Sequence, residues 1–186
     1  MFSIEEYKEA VSFLACSHRN FNIKNEGNDY ARVILTNIFF NATKSIRMAA
    51  NTLRNSIVDS SEYLDSLDSF LGRSGATLHI IVHHLPDNAK ENSNSNIYRR
   101  LCLNPAYDEG RIMVKSADGR NRFFLGERPI NFCVADSLMF RMEDDVEKRT
   151  ALCNFGNESK AKELELAFDT IFEEIPSIIN LKELFA

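Results

Sequence analysis

Ile4, Tyr7, Val11 and Leu14 recur every three or four residues, the spacing that gathers apolar side chains on one helix face. Ser3 followed by Glu6 forms a capping box, so a helix is predicted over Ser3–Ala15. The polar stretch from Ser17 to Asn28, broken by Gly27, reads as a linker or hairpin. Val33, Ile34, Ile38 and Phe39 define a second helix from about Asp29 to Ala42. SIRMAAN, residues 45–51, is short and apolar, as suits a buried strand. Tyr63, Leu64, Leu67, Phe70 and Leu71 predict a third helix over Ser61–Leu71, ended by Gly72 or Gly75. ATLHIIVHH, residues 76–84, is β-branched and apolar through its middle, the texture of a strand covered on both faces. Pro86 stops it. An Asn- and Ser-rich loop, residues 87–96, then leads into a fourth helix over Ser95–Leu103, closed by Asn104-Pro105.

Beyond residue 110 the texture changes. RIMVK, RFFLG, INFCVAD, LMFRM and TALCNFG are short apolar runs separated by turn signals such as Ala117-Asp118-Gly119 and Asp144-Asp145, and they read as consecutive strands. A long helix over Glu158–Glu174 carries Leu164, Leu166, Ala167, Phe168, Ile171 and Phe172. A short one, Leu181–Phe185, follows Pro176. This order predicts a mixed α/β (α+β) fold in which one mixed sheet is flanked by helices on both faces. Residues 1–28 read as an N-terminal helical extension and residues 29–186 as the main domain.

The length of 186 residues fits that single domain, and 14 Phe with no Trp predict a core of Phe, Ile and Leu. A net charge of −5 argues against general coating of nucleic acid, which needs concentrated Lys and Arg. The four cysteines show no CxxC pairing. Cys133 and Cys153 sit inside apolar runs and read as buried core residues in a reducing compartment, not as zinc ligands or disulfides. The acidic, amphipathic N-terminus lacks the basic and apolar regions of a signal peptide. No apolar run approaches the roughly 20 residues that span a bilayer. A cytoplasmic protein without a membrane segment is expected, and no cofactor or metal.

Three pieces together resemble the phospholipase D-like family. The helix–SIRMAAN–helix–Gly–ATLHIIVHH order resembles the opening of one lobe. RPINFCVADSLMFRMED is similar to the hairpin that carries the family's His-x-Lys-x4-Asp signature, and TALCNFGNESKAKELELAFDTIF to the strand, Asn-bearing turn and helix that follow. The resemblance covers roughly residues 29 to 175. With Asp136 on the signature's Asp, the histidine position falls on Pro129 and the lysine position on Asn131. In active relatives that histidine attacks phosphorus and the lysine steadies the phosphate charge. Pro129 and Asn131 supply neither function, and no histidine follows His84. The resemblance therefore implies a lobe without phosphohistidine chemistry that acts through protein contacts. A homodimer or a partner protein would cover the vestigial cleft, because lobes of this family commonly pair. It further implies an accessory or regulatory protein, as in a bacterial defence or toxin–antitoxin operon.

Several constellations carry alternative chemistry. The Phe132-x-Val134-x-Asp136 then Arg141-x-Glu143 pattern resembles relatives that have lost the histidine. Arg141 and Glu143 share one strand face. They read either as an anion or partner site in the old cleft or, the commoner case, as a fold-stabilising ion pair next to the Asp turn, since surface pairs are common and worth about 0–1 kcal/mol. His79 and His83 share one face of their strand while His84 points away, and the pair ends the strand where ligands gather in open α/β sheets. A nuclease or phosphodiesterase would use His83 or His84. A metal would need a third ligand such as Asp87 or Asp136, and no HExxH accompanies them. Arg99, Arg100, Arg111, Lys115, Arg120, Arg122 and Arg128 outnumber the acids around them. Phe123 and Phe124 lie among them, one of the two destined for the core. A nucleic-acid or nucleotide sensor would place Arg120 and Arg122 on phosphate. Glu158, Glu163, Glu165, Asp169, Glu173 and Glu174 read as the solvated face of the long helix. Asn154 either lines the cleft, as the resemblance implies, or caps that helix.

Overall fold

Ser3 starts the first helix as its spacing to Glu6 requires. Its Oγ accepts from the Glu6 N–H at 3.3 Å, and Glu6 Oε2 accepts from the Ser3 N–H at 2.8 Å. The computed structural model describes residues 3–53, 56–85, 96–117, 123–125, 128–145 and 148–185. Helix α1, Ile4–Cys16, buries Tyr7, Val11 and Ala15. The stretch expected to be a linker or hairpin supplies a strand, β1, Ile23–Asn25, whose partner lies far along the chain. Gly27, at φ 84°, then sets the entry to α2, Asn28–Asn41. Strand β2, Ser45–Ala50, α3, Ser61–Leu71, and β3, Thr77–Val82, follow as expected, with Gly72 at the α3 C-cap. Helices α4, Asn96–Leu103, and α5, Pro105–Asp108, lead to β4, Ile112–Ser116.

The remaining strands are β5, Phe124–Leu125, β6, Arg128–Pro129, β7, Phe132–Ala135, β8, Met139–Asp145, and β9, Thr150–Asn154. Helices α6, Glu158–Glu174, and α7, Leu181–Phe185, close the chain. The main sheet runs β1-β9-β8-β7-β2-β3-β4. Strands β2, β3 and β4 are mutually parallel because helical connections return the chain to the same end. β7, β8 and β9 form an antiparallel meander joined to β2. Of the run RFFLG, Phe124 and Leu125 form β5, which among the described residues pairs with β6 in a separate two-stranded ribbon.

Alternation along the strands divides the core. Ile46, Met48, Leu78 and Ile80 meet Ile34, Ile38, Phe39, Tyr63, Leu67 and Phe70 of α2 and α3 on one face, where α1 also packs. Ala49, Ile81, Phe132, Val134 and Phe140 meet Leu164, Phe168 and Phe172 of α6 on the other. Phe123 joins this second cluster, its ring 4.7 Å from that of Phe132 in an edge-on contact. The acidic face of α6 is not wholly solvated. Arg47 projects from β2 onto it, with Nε 2.7 Å from Asp169 Oδ1, Nη2 3.0 Å from Asp169 Oδ2, and an ion pair to Glu165. These two acids fasten the helix to the sheet, whereas Leu166 is 70% exposed. The β4 edge is partly covered by an antiparallel bridge between Lys115 and Ile178. Among the described residues no helix is long and apolar enough to cross a membrane.

Candidate functional site

The carboxyl ends of β2 and β3 meet the start of β7 and the second half of β8. The main chain fixes this junction. The His83 N–H donates to Ala50 O at 3.0 Å, and the His84 N–H to Asn51 O at 2.9 Å. Across the sheet Ala49 pairs with Phe132, and the Glu143 N–H donates to Asn131 O at 2.9 Å. Asn131, Glu143, His83 and His84 therefore stand at one end of the sheet.

Arg141 and Glu143 leave β8 on the face that carries α2 and α3, since Arg141 pairs with Cys133 and Cys153, both core residues of that side. The expected ion pair between them is present but buried, with side chains 5% and 4% exposed, and not at the surface. The cause is β1: Asn25, itself 3% exposed, lies over the pair, and its Oδ1 accepts from Arg141 Nε at 3.2 Å. Arg141 Nη1 lies 3.1 Å from Glu143 Oε1. Asn131 Nδ2 donates to Glu143 Oε2 at 2.6 Å, and Arg149 Nη1 stands 3.9 Å from Glu143 Oε1. Arg141 Nη2 is buried without an acceptor among the described residues. A buried donor left so costs about 1–3 kcal/mol.

A cavity of about 90 Å³ opens beside this network. Asn51, Thr52, Asn131, Arg141, Glu143 and Arg149 give its polar wall, and Leu35, Met48, Leu53, Ile57, Val58 and Tyr63 its apolar one. Cys133 also lines it, and burial pushes the Cys133 thiol up to about 12, as it does that of Cys153 nearby. Both are free thiols, as is the exposed Cys16. Asn25, Asn51 and Arg149 had no sequence signal: each is a polar residue in a loop or edge strand that only long-range pairing brings here.

The other expected site residues are dispersed. Asp136 lies at the far end of β7, where its N–H donates to Ser45 O, the start of β2. β2 is six residues long, so this is roughly 16 Å from the cavity end. Its carboxylate accepts from Thr43 N at 2.6 Å and from Thr43 Oγ1, Lys44 N and Ser45 N at 2.9 Å each. It holds the α2–β2 loop and cannot complete a metal site with His83; Asp87 lies outside the described residues. Asn154 neither lines the cavity nor caps α6. Asn157 is the cap, while Asn154 donates to Asn20 and Asn22 Oδ1 at 3.0 and 2.8 Å and accepts from Gly156 N at 2.8 Å. Gly156 is required there, since a Cβ would come within 2.2 Å of His18 O.

His83 is 2% exposed, with its ring 6.3 Å from Phe123 on the α6 side, and His84 is exposed. Neither lines the cavity. Pro129 lies in β6, paired with Phe124. Arg120 and Arg122 lie outside the described residues. Of the other cations in the basic stretch, Arg111 Nη1 donates to Leu71 O and Ala76 O at 3.0 and 2.8 Å. Lys115 Nζ donates to Phe172 O and Ile175 O at 2.7 Å, and Arg100 pairs with Asp68. Arg111 and Lys115 thus hold the fold, while Arg100 makes a surface pair.

Nuc from Salmonella typhimurium, a phospholipase D family member, matches with a TM-score of 0.57 and 11% identity, over 87% of this chain and 99% of its own. The fold is phospholipase D-like. Phosphatidylserine synthase from Haemophilus influenzae matches with a TM-score of 0.57 and 11% identity, over 88% of this chain and 40% of the synthase. TrmBL2, an archaeal chromatin protein with a novel mode of DNA binding, matches with a TM-score of 0.56 and 11% identity, over 92% of this chain and 60% of its own. The chain thus spans about three-fifths of TrmBL2 and two-fifths of the synthase. No family model and no curated protein matches the chain.

Proposed function

We propose that this chain is a phospholipase D-like module without phosphodiesterase chemistry, acting as an accessory or regulatory component through contacts with a second copy or a partner protein. The observation that carries this reading is Asn131. The resemblance puts it where active relatives hold a phosphate-binding lysine, and here its amide is bonded to the buried carboxylate of Glu143. Its neutral amide, bonded to that carboxylate, supplies no positive charge to a phosphate. Pro129, at the histidine position, has no nucleophile. His83 and His84 stand at the same sheet end but outside the cavity wall. Phe13 and Phe21, 63% and 62% exposed, offer apolar surface for the contacts the reading requires.

Nucleic-acid contact has less support, because Arg111 and Lys115 donate to backbone carbonyls within the fold. Light scattering on the eluting chain tests the second-copy form of the proposal. A particle of twice the 21.2 kDa chain mass is expected, and a strict monomer throughout the micromolar range contradicts it.

A further inference from the structure

Helix α1 has one face packed and one face open. Tyr7, Val11 and Ala15 bury its inner side. The Tyr7 ring stands edge-on to Tyr30 of α2 at 4.7 Å, and its hydroxyl donates to Lys24 O at 3.4 Å. Glu5, Glu9 and Phe13 recur every fourth residue on the opposite side, and all three are exposed. Phe13 thus puts apolar surface in the middle of the outer face, and Phe21, 62% exposed, adds more beyond the helix end.

The turn between them is held by its own backbone. The Arg19 N–H donates to Leu14 O at 3.0 Å across His18, which takes the left-handed conformation at φ 46°. The Phe21 N–H then donates to Arg19 O at 2.9 Å. Arg19 therefore has a fixed place just past the last turn of α1.

Charge selects what covers this face. Of the acids in α1, Glu5 pairs with Lys8, and Glu6 completes the cap at Ser3. The side chains of Glu9 and Arg19, both exposed, make no ion pair among the described residues. These two opposite charges lie on either side of Phe13 along the helix. A uniformly acidic or basic partner would match one of them and repel the other. The pattern is instead its own complement. A two-fold axis through Phe13 lays one α1 antiparallel on another, ring against ring, and brings each Glu9 to the Arg19 turn of the other copy.

We propose that α1 is the docking surface for a second copy of this chain, packed antiparallel about Phe13 with Glu9 of each copy paired to Arg19 of the other. The proposal rests on the second-copy form of the reading above and names its interface. No residue of α1 lines the Arg141–Glu143 cavity, so this contact differs from one that covers the vestigial cleft. A helix of 13 residues is about 20 Å long. Its contact falls at the small end of specific interfaces, which makes the dimer a weak, exchanging one.

Sedimentation equilibrium of the full chain across the micromolar range tests it. The wild type is expected to dimerise. Phe13→Ser should weaken the dimer roughly ten- to a hundredfold. Glu9→Lys and Arg19→Glu should each weaken it roughly tenfold, because two-fold symmetry sets like charges together twice. The double variant Glu9→Lys/Arg19→Glu restores the pairing with its signs exchanged and should return to within about threefold of the wild type. All these positions are exposed, so thermal midpoints in dilute solution are expected to stay at the wild-type value. A dimer unchanged by Phe13→Ser, or a double variant no tighter than the single ones, would overturn α1 as the interface and leave the second-copy reading standing. A wild-type chain that stays monomeric throughout would remove that reading and this interface with it.

Discussion

Asn131 Nδ2 and Glu143 Oε2 are 2.6 Å apart, joining the residue before β7 to the second half of β8. This bond, with the Arg141 contact beside it, turns the end of a phospholipase D-like sheet into a buried polar network with a carboxylate at its centre.

Removing one member of the network should hurt far more than removing two. Glu143→Ala leaves the guanidinium of Arg141 buried with Asn25 as its acceptor, an expected loss of about 3–5 kcal/mol. The double variant Arg141→Met/Glu143→Leu removes both charges and should recover most of that loss. Urea unfolding of the single and double variants checks this, and equal destabilisation of the two would contradict it.

Asp136 should matter for stability. Its carboxylate accepts from Thr43, Lys44 and Ser45 at the opposite end of the sheet from the cavity. Asp136→Ala is expected to destabilise by roughly 2–3 kcal/mol, and Asp136→Asn, which keeps one acceptor oxygen, by less. Thermal unfolding of the two variants checks this, and unchanged midpoints would contradict it.

Much of the architecture was legible in the residues, because periodicity reports which faces are buried. The capping box at Ser3, the apolar faces of α2 and α3, the doubly covered β3 and the bounds of α6 all follow from local pattern. Strand β1 was not. Ile23-Lys24-Asn25 carries one apolar residue, and it exists because β9 offers a pairing edge. The site suffered from the same gap. The shared face of Arg141 and Glu143 follows from their two-residue spacing, but their burial depends on Asn25 arriving from β1. Asp136 and Asn154 stand in motif order beside the site, yet their side chains bind loops many residues earlier, which no local pattern encodes.

The thiols should divide sharply. Cys16 is exposed, while Cys102, Cys133 and Cys153 are buried, the last two held as thiols by a shift up to about 12. A disulfide-exchange reagent should titrate one thiol rapidly in the native protein and all four after unfolding. Fast native reaction of two or more would contradict the packing around the cavity.

His79 should make the fold acid-sensitive. Burial, with Arg47 and Lys115 nearby and only Asp169 opposing, holds its imidazole below the ordinary value, and its ring stacks on Phe172 at 5.0 Å. The unfolded chain then takes up this proton at a higher pH than the folded one. Stability is full above about pH 6.5 and falls as the pH drops through that value toward the lower folded pKa. Thermal midpoints measured from pH 7.5 to about 5.5 should decline, with a shallower slope in His79→Gln. Identical slopes would remove His79 as the cause.

Phosphodiester turnover by the full chain tests the central claim most directly. Incubated with single- and double-stranded DNA, RNA and a chromogenic phosphodiester, the protein is expected to show no hydrolysis above that of a His83→Ala/His84→Ala variant. Turnover that disappears in either single histidine variant would contradict the account.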